Sequence, residues 1–149
     1  MLTGLAAPLP ARASCAGPEL TIAAPGSTGT PTPYSGVGST PAPTSVRPGQ
    51  DLVVDGQYFL AECNDVMACA RGCAGCTGVD PPPPMRSVSL VLIAGDEQVD
   101  LGEQDATDEV GGVTWEITVP PEVPPGPAVL EARWNDAVVV EVPLLLQQG

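Results

Sequence analysis

The chain has no histidine and no lysine. Without histidine there is no Ser-His-Asp or Cys-His pair to activate a nucleophile. Without lysine there is no Schiff base and no P-loop lysine. The basic residues are five arginines against 18 acidic residues, giving a net charge of −13 over 149 residues. No basic footprint exists for nucleic acid or anionic lipid, so neither is an expected partner. Aromatics are few: Tyr34, Tyr58, Phe59, Trp115 and Trp134. Any core must be built from Val, Leu, Ile and Ala. No run of about 20 apolar residues is present, so no membrane span is expected. These absences leave an enzyme improbable on composition alone.

Proline and glycine are abundant, at 19 and 17 residues, so much of the chain is turn or loop. The length suits one domain. Residues 1–13 resemble the tail of a secretory signal. Leu2 to Leu9 is apolar, and Ala11-Arg12-Ala13 has the small-x-small form that precedes cleavage, here before Ser14. The positive n-region is missing and the apolar stretch is short, so the true start is expected upstream of Met1. A plain disordered terminus is the competing reading. A lipoprotein reading makes Cys15 a lipid anchor; Ala13 and Ser14 suit it, and Arg12 stands where an apolar residue is expected.

The rest reads as one domain over residues 14–146, with 147–149 as a tail. Pro18–Ala24 is a short strand candidate. Residues 25–45 are Pro, Gly, Ser and Thr with almost nothing to bury, and are expected to form a flexible insert. Pro48-Gly49 turns the chain into a strand in which Leu52, Val54 and Tyr58 alternate with Asp51, Val53, Asp55 and Gln57. A Cys- and Pro-rich loop follows over 63–84, closed by four prolines. Ser87–Ala94 reads as a central strand whose apolar run is continuous after Ser89, so both faces are expected to be covered. Gly95-Asp96 turns it into the more exposed Glu97–Gly102. In Val113–Val119, residues Trp115, Ile117 and Val119 share one face. In Ala128–Trp134, residues Leu130, Ala132 and Trp134 are expected inward, with Glu131 and Arg133 outward. Asn135-Asp136 leads into Ala137–Leu146, where Pro143 implies a sheet edge or a bulge. That gives about seven short strands with sandwich-like turn spacing and no convincing helix.

"CAGPEL", then "VRPGQDLVVDGQYF" shortly before "CND", then "PPGPAVLEARW", resemble small secreted Ig-like domains of high-GC bacteria. The resemblance spans most of residues 15–146. It implies an all-β, Ig-like β-sandwich, a secreted or envelope-associated location and no catalytic residues. The long insert and the enlarged cysteine loop depart from the family, so neither segment's role carries over.

Four of the five cysteines, Cys63, Cys69, Cys73 and Cys76, lie within 14 residues, spaced C-x5-C-x3-C-x2-C. Zinc is one reading, but only one C-x2-C knuckle is present where two make a strong signal. Redox chemistry would want its C-x-x-C at a helix start in a βαβ unit. For an exported chain a disulfide-stapled loop is the leading reading. In the Ig-like frame the first two strands run antiparallel, which would bring Cys15 near Cys63. Such a bridge, closing a loop of about 50 residues, is worth roughly 4 kcal/mol before strain. Cys69, Cys73 and Cys76 would then give one bridge and one free thiol. If Cys15 is lipidated, the other four pair in one of three ways, and the sequence leaves these open.

Asp96–Glu109 carries seven carboxylates. Asp105, Asp108 and Glu109 are candidates for a calcium site, although the EF-hand pattern is absent and a solvated acidic face competes. Paired glycosidase carboxylates lack the aromatic lining of a sugar cleft. The expected function is a non-enzymatic, secreted or envelope-associated interaction or adhesion module without cofactor. It would present the Cys63–Cys76 and Thr107–Gly112 loops to a protein or cell-wall partner. The alternative is a metal-binding domain, with zinc at the cysteines or calcium at Asp105–Glu109.

Overall fold

The computed structural model describes residues 17–26, 33–35, 42–61, 83–107 and 110–148. These form nine strands: β1 (Glu19–Ala23), β2 (Tyr34–Ser35), β3 (Thr44–Val46), β4 (Asp51–Gln57), β5 (Val88–Ala94), β6 (Glu97–Gln104), β7 (Val113–Thr118), β8 (Gly126–Trp134) and β9 (Ala137–Leu146). One sheet has the order β2-β1-β4-β7 and the other β3-β9-β8-β5-β6. Every pairing is antiparallel except β3 with β9. The expected all-β architecture is therefore present as two sheets enclosing one core.

The alternation read from β7 holds: Val113, Trp115 and Ile117 are buried, and Thr114, Glu116 and Thr118 are exposed. β5 is buried on its inner phase and also at outward-facing Val91. β6 is mostly exposed, as an edge strand must be. Across the interface Trp115 (1% exposed) lies edge-on to Phe59 (0%), with ring centroids 6.0 Å apart and planes at 71°. The Trp115 indole N–H is buried without an acceptor among the described residues.

Three expectations need correction. First, the described parts of the expected flexible insert 25–45 are anchored, while residues 27–32 and 36–41 lie outside the described residues. Tyr34 is buried and β2 pairs with β1, while Thr44–Val46 pairs with β9. The Tyr34 hydroxyl also hydrogen-bonds to the Thr44 hydroxyl, joining the edge strand of one sheet to that of the other. One aromatic ring supplies the burial that the surrounding small residues cannot. Second, Tyr58 is not an inward member of β4. Its backbone is left-handed (φ 63°), which ends the alternation and gives the core position to Phe59. Third, Trp134 is only partly buried, packed against the core rather than within it. It is the last residue of β8, beside the Asn135-Asp136 turn, where the register shifts with Val139 as the extra residue of β9. Glu131 faces outward as expected, and is only 8% exposed because Arg133 folds over it with its Nη2 2.6 Å from Oε2. Pro143 fits its expected edge: β3 pairs with β9 only from Leu144 onward.

The registers define two ends of the sandwich. Glu19 lies opposite Gln57, and Gly56 opposite Val113, near the start of β5 and the β8–β9 turn; this is the upper end. Asp51 lies opposite Thr118, with the β5–β6 turn and Leu146, at the lower end. Residues 62–82 leave and rejoin the chain at the upper end.

Candidate functional site

The upper end is held by a collar of backbone hydrogen bonds. Phe59 is its hub. Its N–H donates to Gly111 O (3.1 Å), and its carbonyl accepts from Met85 N–H (2.8 Å). Ala106 N–H donates to Met85 O (2.9 Å), and Thr107 and Gly112 exchange N–H···O bonds of 2.8 and 3.0 Å. Tyr58 N–H donates to Val110 O (2.8 Å) and Ala61 N–H to Pro83 O (2.8 Å). Three chain segments, 58–61, 83–87 and 105–112, are thereby tied to one another. The polar backbone of a sandwich end, otherwise left to water, is satisfied internally.

Two glycines make the collar possible. A Cβ on Gly56 would sit 2.5 Å from the Phe59 ring and 2.6 Å from Val113, so Gly56 leaves the space that the ring fills. A Cβ on Gly111 (φ +66°) would lie 2.6 Å from the Phe59 nitrogen. Ser87, where the collar meets β5, is also left-handed (φ 54°). Its N–H is held by Asp105 Oδ1 at 2.8 Å, and Asp105 Oδ2 lies 3.4 Å from Arg86 Nη1. Val110 stands on the collar with 50% of its surface exposed. Beside it is a polar hollow of about 550 Å³, bounded by Asp55, Gln57, Gln104, Asp105, Thr107 and Val110.

The candidate residues read from the sequence fall as follows. Cys15, Cys63, Cys69, Cys73 and Cys76 lie outside the described residues, as do Asp108 and Glu109. Asp105 is described, and both its oxygens are engaged with Ser87 and Arg86. Among the described residues no group of three acidic or cysteine side chains is placed to hold a metal. β1 and β4 are antiparallel with Glu19 opposite Gln57, which is the geometric premise behind a Cys15–Cys63 bridge. The two segments expected to act together, the cysteine loop and Thr107–Gly112, are joined at their bases through Phe59, Met85 and Ala106. Sequence reasoning missed Phe59 as the hub, and missed Ser87 and Arg86. The glycines at 56 and 111 were the available signal.

The fold and this site define a class, the two-sheet β-sandwich with a braced, loop-bearing end. Comparison with known proteins finds no matching family model, no similar curated protein and no similar solved structure. Among the described residues no helix is long and apolar enough to cross a membrane.

Proposed function

We propose that this chain is a secreted or envelope-associated, Ig-like interaction module without catalytic activity, and that it meets its protein or cell-wall partner through its upper end. The observation that carries the reading is the collar. It roots residues 62–82 and the Thr107–Gly112 hairpin on one platform. At that end left-handed backbone falls on Tyr58 and Ser87, residues that bear side chains and lie outside any two-residue hairpin turn. Such strain persists where surrounding structure enforces it, and it concentrates at functional sites. Loops on a rigid scaffold are the usual place for recognition.

Support for the Ig-like type comes from the strand order. Taking β1, β4 and β7 as A, B and E, and β6, β5, β8 and β9 as C′, C, F and G, gives orders consistent with that fold, with β2 added outside A and no D strand among the described residues. β3 then crosses between sheets to run parallel to the last strand. The location rests on the signal-like residues 1–13 and on five cysteines best used as disulfides. The absence of histidine and lysine supports the non-enzymatic part.

The test replaces residues 62–82 with a short Gly-Ser linker and measures retention on isolated cell-envelope material. The expected result is loss of retention with a urea midpoint equal to that of the disulfide-reduced parent, because the collar closes without the loop and only the cysteine bridges are lost with it. Equal retention by both proteins would remove the loop from the function. Native mass spectrometry with and without chelator guards the alternative: a metal-sized mass lost on chelation would replace the interaction reading with a metal-binding one.

A further inference from the structure

The edge of β7 is a second surface, independent of the collar. Val119, just beyond β7, donates its N–H to Gln50 O (2.8 Å) and accepts from Gly49 N–H (2.7 Å). In an antiparallel pair, alternate residues aim their backbone groups at the same neighbour. Val113, Trp115 and Ile117 therefore face β4, and the N–H and C=O groups of Thr114, Glu116 and Thr118 point away from it. Gly112 shares that phase, and its groups are taken by Thr107. Beyond that bridge the lane is open: among the described strands none pairs with the far side of β7.

The chemistry beside this lane has one sign. Glu116 is exposed at its centre, and Asp51 and Asp55 are exposed on the neighbouring strand, diagonal to it. Thr118 and Thr114 hydroxyls orient the two aspartates, with Oγ1 to Oδ1 distances of 2.6 and 2.7 Å. The described arginines, Arg47, Arg86 and Arg133, stand on neither β4 nor β7 except that Arg47 is in the turn before β4. A hollow of about 340 Å³ lies along the same strands, bounded by Pro25, Asp51, Val53, Glu116 and Thr118. A second copy is a poor occupant. Full antiparallel overlap of two such edges sets Glu116 against Glu116, and like charges directly opposite destabilise a pair. The whole chain also carries −13.

We propose that the β7 edge receives an extended basic segment of a partner protein as an added strand. The partner's main chain pairs with Thr114, Glu116 and Thr118, and its Lys or Arg side chains meet Glu116, Asp51 and Asp55. Main-chain bonds supply affinity in this mode and alternate side chains supply specificity. The proposal stands apart from the upper-end reading, because replacing residues 62–82 leaves this edge in place.

The probe is a short peptide alternating Lys and Val. Two controls accompany it: a Glu/Val peptide, and the Lys/Val peptide N-methylated at alternate residues so that it cannot donate to the lane. Amide hydrogen exchange is read residue by residue. The Lys/Val peptide should slow exchange at Thr114, Glu116 and Thr118 by roughly tenfold or more, and neither control should. Glu116→Lys should weaken binding by about tenfold with an unchanged melt. Protection at β6 or β9 instead, no protection at saturation, or equal binding of either control would overturn the proposal. Protection that rises with protein concentration in the absence of peptide would assign the edge to a second copy and overturn it as well.

Discussion

At the lower end of the sandwich positive φ falls on Gly26, Gly49, Gly95 and Gly126, whereas at the upper end it falls on Tyr58, Ser87, Asn135 and Asp136 together with Gly111. Around Gly26, Gly49, Gly95 and Gly126 an added Cβ would meet nothing within 4 Å, while around Gly111 it would strike backbone. The lower turns are thus local solutions: the residue type alone makes the bend, and neighbours are not consulted. The upper end is a collective solution. At Tyr58, Ser87 and Gly111 the backbone is held by hydrogen bonds with other segments, whereas Asn135-Asp136 is a local two-residue hairpin turn. A fold that only needed to close would use the lower device twice. The upper device costs strain and returns a fixed arrangement of chain ends.

The largest perturbation of this contrast is Phe59→Ala. Removing a fully buried ring is expected to cost about 3–5 kcal/mol. The loss should be uneven. Exchange of the Phe59, Met85 and Ala106 amides should accelerate far more than that of Gly49 and Val119 at the other end, and uniform acceleration would erase the distinction between the ends.

Next come matched alanine substitutions at two glycines of similar φ. Gly95→Ala (φ +61°) meets open space and should cost about 1 kcal/mol, the left-handed penalty alone. Gly111→Ala (φ +66°) must also push the Phe59 backbone aside and should cost roughly 3 kcal/mol or more. Urea midpoints of the pair measure the difference, and equal midpoints would mean that the collar yields freely.

Asp105→Ala removes the acceptor of the Ser87 N–H. The expected loss is about 1 kcal/mol, nearly all from that bond. The Arg86 contact, with side chains 72% and 50% exposed, adds little. Arg86→Ala should therefore leave the midpoint almost unmoved, and a large effect would shift the weight from the N–H bond to the ion pair. The smallest effect is a gain. Ser87→Gly relieves left-handed strain but loosens the unfolded chain, for a net stabilisation of about 0.5 kcal/mol. If the upper end carries function through that strain, the same variant should lose envelope retention while becoming more stable.

Much of the sandwich was readable because burial has a period. Trp115, Ile117 and Val119 alternate with polar residues, and Val88–Ala94 is too apolar to be anything but central. The reading failed where geometry is set by partners rather than by pattern. Tyr58 continues the alternation on paper, yet its left-handed backbone hands the core position to Phe59. Residues 25–45 carry one aromatic, and Tyr34 is enough to dock a two-residue strand. The charge of Asp105 is legible in the sequence, while the Ser87 N–H that it holds is not. The collar was invisible for the same reason: its bonds join main-chain groups, which every residue carries alike.

The parallel pairing of β3 with β9 has a mechanical meaning. Thr44, Ser45 and Val46 run alongside Leu144, Leu145 and Leu146, and Gln147 N–H adds a bond of 2.9 Å to Val46 O. Tension transmitted into β3 from the amino side and out of β9 at the carboxyl side pulls the two strands past one another. Their bonds are then loaded together rather than opened in turn, so forced opening has to cross the barrier in a single step. Under a load applied in that direction the short β3–β9 pair would be the point that has to give way.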